Sequence, residues 1–131
     1  MCAAVIAAGA RARFVGQVGD DAVGHHLAEA LAEVGVDTHI TKRGTTGTIV
    51  ALVDASGERS FLTDRGASLH LGSVAPNVLD DVDVLHVPLY SLLSGALAES
   101  TQLLIGEALD RGIGFSPVSY THLTLPTINS V

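Results

Sequence analysis

Arg13-Phe-Val-Gly-Gln-Val-Gly-Asp-Asp-Ala-Val-Gly24, with His25-His-Leu-Ala-Glu-Ala-Leu-Ala-Glu-Val-Gly-Val-Asp-Thr38 directly behind it, decides the fold. Phe14 to Val18 is a short apolar run broken by Gly19, which predicts a strand. Asp20 and Asp21 follow where a helix needs an N-cap and negative charge, because its first amide N–H groups lack intrahelical acceptors. Leu27, Ala30, Leu31 and Val34 recur at helical spacing, and Gly35 stands where a helix end takes its left-handed residue. A second strand is expected over Thr38 to Lys42. This strand–turn–helix–strand unit makes the chain α/β.

Working outward, Thr48 to Val53 and Arg59 to Thr63 are β-rich runs flanking Asp54-Ala-Ser-Gly57, which has turn chemistry. No helix-length segment separates them, so they predict a β-hairpin, a lid or edge in an otherwise alternating chain. Val74 to Leu79 has room for one helical turn, limited by Pro76. Val82 to Val87 is apolar on both faces, as buried parallel strands are. Gly95 to Arg111 is the clearest helix, with Leu97, Leu104, Ile105, Ala108 and Leu109 on one face. Gly112 ends it, and Ile113 to Ser116 begin another strand. In the other direction, Ala3 to Ala8 reads as the back half of a buried helix whose beginning lies outside the sequence.

Bulk properties narrow the function classes. The 131 residues carry a formal charge of −7, and the few Lys and Arg are scattered. No basic stripe for nucleic acid and no polybasic membrane patch is expected. The apolar start is too short to span a bilayer and lacks the positive flank of a secretory signal. Cys2 is the only cysteine, so no internal disulfide can form and a cytoplasmic setting is expected. Asp20-Asp21 read as caps before they read as a metal or acid–base pair. His25 and His26 lie about 100° apart on a helix and cannot share a metal as i,i+4 histidines do. His39, His70 and His86 lack ligand spacing. Gly16-x-x-Gly19-x-x-x-x-Gly24 is not a dinucleotide fingerprint, and no Walker-type Gly-Lys-Ser occurs.

The end of the chain has a different character. Gly112 to Val131 contains no Asp, Glu, Lys or Arg. Val118 to Thr127 resembles a translated sequencing-library adapter. On this reading residues 117–131 are a non-native tail, and native sequence ends near Ser116.

Phe-Val-Gly-x-Val-Gly-Asp-Asp-x-x-Gly, then a helix and Gly35-Val-Asp-Thr38, resembles the N-terminal half of a PfkB-family (ribokinase-like) carbohydrate kinase. Gly9-Ala10, Thr46-Gly-Thr48, Val53 to Arg59 and Arg65-Gly-Ala-Ser68 fall in that family's order. The resemblance implies a three-layer α/β/α fold with a β-hairpin lid, truncated at both ends, occupying residues 1–116. It implies an ATP- and Mg²⁺-dependent transfer of phosphate to a sugar hydroxymethyl group, and a parent that dimerises through the lid. The opening strand with its substrate-binding Asp, and the Gly-Gly-x-x-x-Asn turn, would precede Met1. The Gly-Ala-Gly-Asp motif with the catalytic base would follow Ser116, so the chain alone is expected to be inactive and to bind no ATP or Mg²⁺ of its own. Substrate contact is implied for Arg65, Gly66, Ser68 and Tyr90, with Ser68 replacing the family's usual Asn. The rival reading is a non-catalytic ligand-binding α/β module, complete as written. Unpaired strand edges and uncovered sheet faces predict poor solubility.

Overall fold

The computed structural model describes residues 1–119. Helix α1 (Cys2–Ala7) precedes strand β1 (Arg13–Val18), helix α2 (Ala22–Glu33) and strand β2 (Asp37–Lys42). β1 and β2 pair in parallel, Phe14 opposite Thr38 and Val18 opposite Lys42, with α2 as the crossover that parallel strands require. Asp21 is the N-cap of α2, and Gly35 follows the helix at φ +87°. The expected strand–turn–helix–strand unit is therefore present, each strand beginning one residue earlier than the pattern placed it.

β3 (Thr46–Val53) and β4 (Arg59–Gly66) form the antiparallel hairpin, with Val50 opposite Leu62. The Asp54 carboxylate closes its turn by accepting from Ser56 N at 2.8 Å, Ser56 Oγ at 2.6 Å and Glu58 N at 3.0 Å. Short 3₁₀ turns at Ala67–His70 and Pro76–Leu79 lead into β5 (Val84–Pro88). A third, Leu89–Leu92, precedes helix α3 (Gly95–Asp110). β6 (Gly114–Val118) pairs in parallel with β5. It runs two residues past Ser116, Pro117 opposite Val87 and Val118 opposite Pro88. Of the adapter resemblance over Val118 to Thr127, residues 120–127 lie outside the described residues, as does the rest of the expected tail beyond residue 119.

The core joins the two parallel pairs. Val78, Leu79 and Ala108 are buried, and Val15 from β1, Leu85 from β5, Leu104 from α3 and Ile113 pack against them. Arg13 fastens the same junction. Its Nε donates to Asp37 Oδ2 at 2.6 Å, and its Nη1 donates to the carbonyls of Val78 at 2.8 Å and Asp80 at 2.9 Å.

Several faces expected to be buried are not. No residue of α1 is buried, and in α2 only Gly24 is. Leu27 and Val34 are 44% and 45% exposed. In β5 only Val87 is buried, and Leu109 on α3 lies open. The apolar stripes are where periodicity puts them, but no layer among the described residues covers them. Apolar patterning reports what a face wants to meet, and burial needs the partner as well.

Candidate functional site

The turn after β1 is bolted to the base of the hairpin. Asp21 Oδ1 accepts from Gly24 N at 2.8 Å, the cap bond that a helix N-terminus needs. The same carboxylate also accepts from Thr46 N at 2.7 Å and Thr46 Oγ1 at 2.6 Å. Thr46 Oγ1 in turn accepts from Gly19 N at 3.0 Å. These bonds favour the ionised carboxylate, the Thr46 hydroxyl contributing most, and hold the Asp21 pKa down to about 2. A Cβ on Gly19 would collide with Thr46 N, and one on Gly24 with the Gly19 carbonyl. The Gly-Asp-Asp-x-x-Gly spacing is thus a docking requirement.

The far strand of the hairpin delivers the candidate residues. β4 ends at Gly66, whose φ of +46° and close approach to Thr45 O (2.6 Å from a built Cβ) exclude any side chain. Gly66 N donates to Asp64 Oδ1 at 2.9 Å, and Ser68 Oγ donates to the Arg65 carbonyl at 2.6 Å. The Arg65 guanidinium lies 4.9 Å from the Tyr90 ring centroid, a cation–π distance. Its Nη2 is buried and has no hydrogen-bond acceptor among the described residues. A buried cationic donor left in this way favours a ligand oxygen. The structure therefore brings Arg65, Ser68 and Tyr90 together, with Gly66 as the pivot between them and a neighbouring cleft.

That cleft, of about 630 Å³, opens at the carboxyl ends of β1 and β2. Ligands of open α/β sheets bind at this edge, outside the strand ends. Gln17 and Ala67 are its buried lining, and Arg43, Asp64 and His70 are exposed around it. Gly66 is the one residue of the expected four that lines it. Gln17, Arg43 and Asp64 were not singled out by spacing. The available signal was the amide of Gln17 inside an otherwise apolar strand. Among the described residues no group of three or more His, Cys, Asp or Glu could hold a metal ion. No described helix is long and apolar enough to cross a membrane.

Comparison with known proteins places this geometry. The family model described as "pfkB family carbohydrate kinase" matches residues 1–120. No curated protein sequence matches the chain. Among solved structures, a fructokinase from Xylella fastidiosa is similar at 29% identity and a TM-score of 0.81, over 88% of this chain and 38% of that one. An E. coli protein described as ribokinase II, in complex with ATP and Mg²⁺, is similar at 24% identity and a TM-score of 0.75, over 83% and 37%. An adenosine kinase from Sinorhizobium meliloti shares the fold at 24% identity and a TM-score of 0.77, over 88% and 37%. The chain thus spans under two fifths of the length of each of these structures. Its hairpin, its parallel pairs and the turn joining them are those of the ribokinase-like fold, and the chain belongs to the pfkB family of carbohydrate kinases.

Proposed function

We propose that this chain is the acceptor-binding portion of an ATP-dependent kinase that phosphorylates a sugar hydroxymethyl group. The observation that carries the reading is the Arg65–Gly66 turn, locked at the base of the hairpin, with Gly66 lining the cleft at the carboxyl ends of the parallel strands. In the reaction the acceptor oxygen forms a bond to the γ-phosphorus while the bond to the β–γ bridging oxygen breaks and ADP leaves. The hydroxyl proton passes to a base. The chemistry rests on positioning and on neutralising the transferring charge.

Arg65 and Ser68 offer hydrogen bonds to substrate oxygens, Tyr90 orients the Arg65 guanidinium, and Gly66 admits close approach of the sugar. No Gly-Ala-Gly-Asp occurs in the 131 residues. The base, the anion hole, ATP and Mg²⁺ are therefore assigned to a part of the kinase outside them. The relatives with nucleotide bound, among them the Xylella fructokinase with ATP, support ATP as the donor. In this reading the hairpin also pairs two parents, since Ile49, Leu52, Val53, Phe61 and Leu62 are all more than half exposed.

Titration of the purified chain with D-fructose and D-ribose, beside a coupled assay for ADP release, tests the proposal. Sugar binding in the millimolar range without ADP release is expected. ADP release dependent on sugar would overturn the division of labour. A folded chain that binds neither sugar would favour the non-catalytic module.

A further inference from the structure

Gln17 is the residue of the cleft whose placement a folding argument alone does not explain. Side chains two apart on a strand share a face, so Gln17 lies on the side of β1 from which Val15 packs against the core. An apolar residue would be the stable choice there. Gln17 is only 8% exposed, and no hydrogen bond to its side-chain amide occurs among the described residues. The one side-chain polar atom both buried and unpartnered among the described residues is Nη2 of Arg65, so the Gln17 amide meets solvent, at the cleft that the residue lines. Arg43 and Asp64 line the same cleft.

We infer that the Gln17 amide is a specificity-determining group that hydrogen-bonds a hydroxyl of a neutral polyhydroxy acceptor. The inference rests on the acceptor-site reading above and adds to it a residue and a charge class. An amide donates and accepts at once, which matches a hydroxyl. The charges around the cleft support the same class. Arg43 and Asp64 contribute one cation and one anion, and the Asp64 carboxylate opposes an anionic acceptor while accepting readily from a hydroxyl. A site built to pair with a hydroxyl discriminates strongly, because its own polar group is left unpaired when the wrong ligand enters.

The test uses the whole chain with three probes, D-fructose, D-ribose and D-gluconate, read by calorimetry, with thermal melts alongside. The variants are Gln17→Met, an apolar side chain of similar length, and Gln17→Glu, an isostere that loses the amide donor. The expected result is that wild type binds at least one neutral sugar and binds gluconate more weakly. Gln17→Met should melt at the same or a higher temperature while its affinity falls by about tenfold or more. Gln17→Glu should also lose affinity, and it serves as the readout should the methionine variant fail to fold. Unchanged sugar affinity in a folded variant would overturn the role of Gln17 while leaving the acceptor site standing. Tighter binding of gluconate would overturn the neutral class. A wild type that binds none of the probes would overturn the acceptor-site reading and this inference with it.

Discussion

Asp21 Oδ1 accepts the Thr46 hydroxyl at 2.6 Å while Asp21 Oδ2 accepts the Thr46 amide at 2.7 Å. One carboxylate thereby caps α2 and anchors the first residue of β3, 25 positions downstream. Its grip depends on Gly19 and Gly24, where a Cβ would occupy the space of the network itself. The hairpin is held at its root while most of its length lies in solvent, which is the arrangement of a lid on a fixed hinge.

Breaking this pair should loosen the hairpin root. Thr46→Val keeps the shape and the amide bond but removes the hydroxyl. It should lower the melting temperature by on the order of 5 °C, and Asp21→Ala by more, since the cap is lost too. Thr46→Ser should restore most of the loss. In a double-mutant cycle the two substitutions should be clearly non-additive. Additive losses would show that the bonds to Thr46 contribute nothing to stability.

The same pair sets a pH window. The Asp21 pKa is lowered from 3.8 to about 2 in the folded chain. A depressed carboxylate contributes stability that is fully present above its unfolded value and is lost as pH falls through the folded one. Asp37, lowered chiefly by its bond from Arg13, and Asp54, lowered chiefly by the Ser56 hydroxyl, act in the same direction. Melting temperature should therefore be flat from pH 7 to about 5 and fall between about 4 and 2. Asp21→Asn should lower the plateau and shallow the acid limb. An acid limb of unchanged depth in that variant would assign it to the other carboxylates.

Two glycines within helices should respond to alanine with opposite signs. Gly106 in α3 has nothing within 4 Å of a built Cβ, so Gly106→Ala should stabilise by about 0.5–1 kcal/mol through helix propensity. Gly24 in α2 would place its Cβ against the Gly19 carbonyl, and Gly24→Ala should cost about 1–3 kcal/mol. Denaturant melts of both variants decide it. Equal shifts would mean that the close packing at Gly24 relaxes freely.

How much of this was legible follows from the range over which each signal acts. The cap at Asp21, the turn at Asp54 and the end of α2 at Gly35 are local, fixed by atoms within a few residues, and the sequence pattern shows them directly. The partnership of Asp21 with Thr46 is not local. Nothing in the spacing of two such common residues announces a bond across 25 positions. Leu27 and Leu109 show a different limit, since helical periodicity marks a face as apolar without saying what covers it. Arg65, Gly66 and Ser68 came to notice through their motif, whereas Gln17 did not, because one amide in a strand carries meaning only after its neighbours and its missing partner are seen.

The hairpin offers the last prediction. Ile49, Val53 and Phe61 alternate on one face of the β3–β4 ladder and Val50, Leu52 and Leu62 on the other, by the observed register. All six are at least 48% exposed. A two-stranded ribbon apolar on both faces is unstable in water by itself and seeks a partner. The chain should therefore associate at micromolar concentration in sedimentation experiments. Replacing Ile49 and Phe61 with Thr should shift it toward monomer without lowering the melting temperature, because neither side chain is buried within the chain. If the double variant associates as wild type does, contacts elsewhere, such as the open Leu27 and Val34 of α2, drive assembly. The hairpin would then be a lid alone.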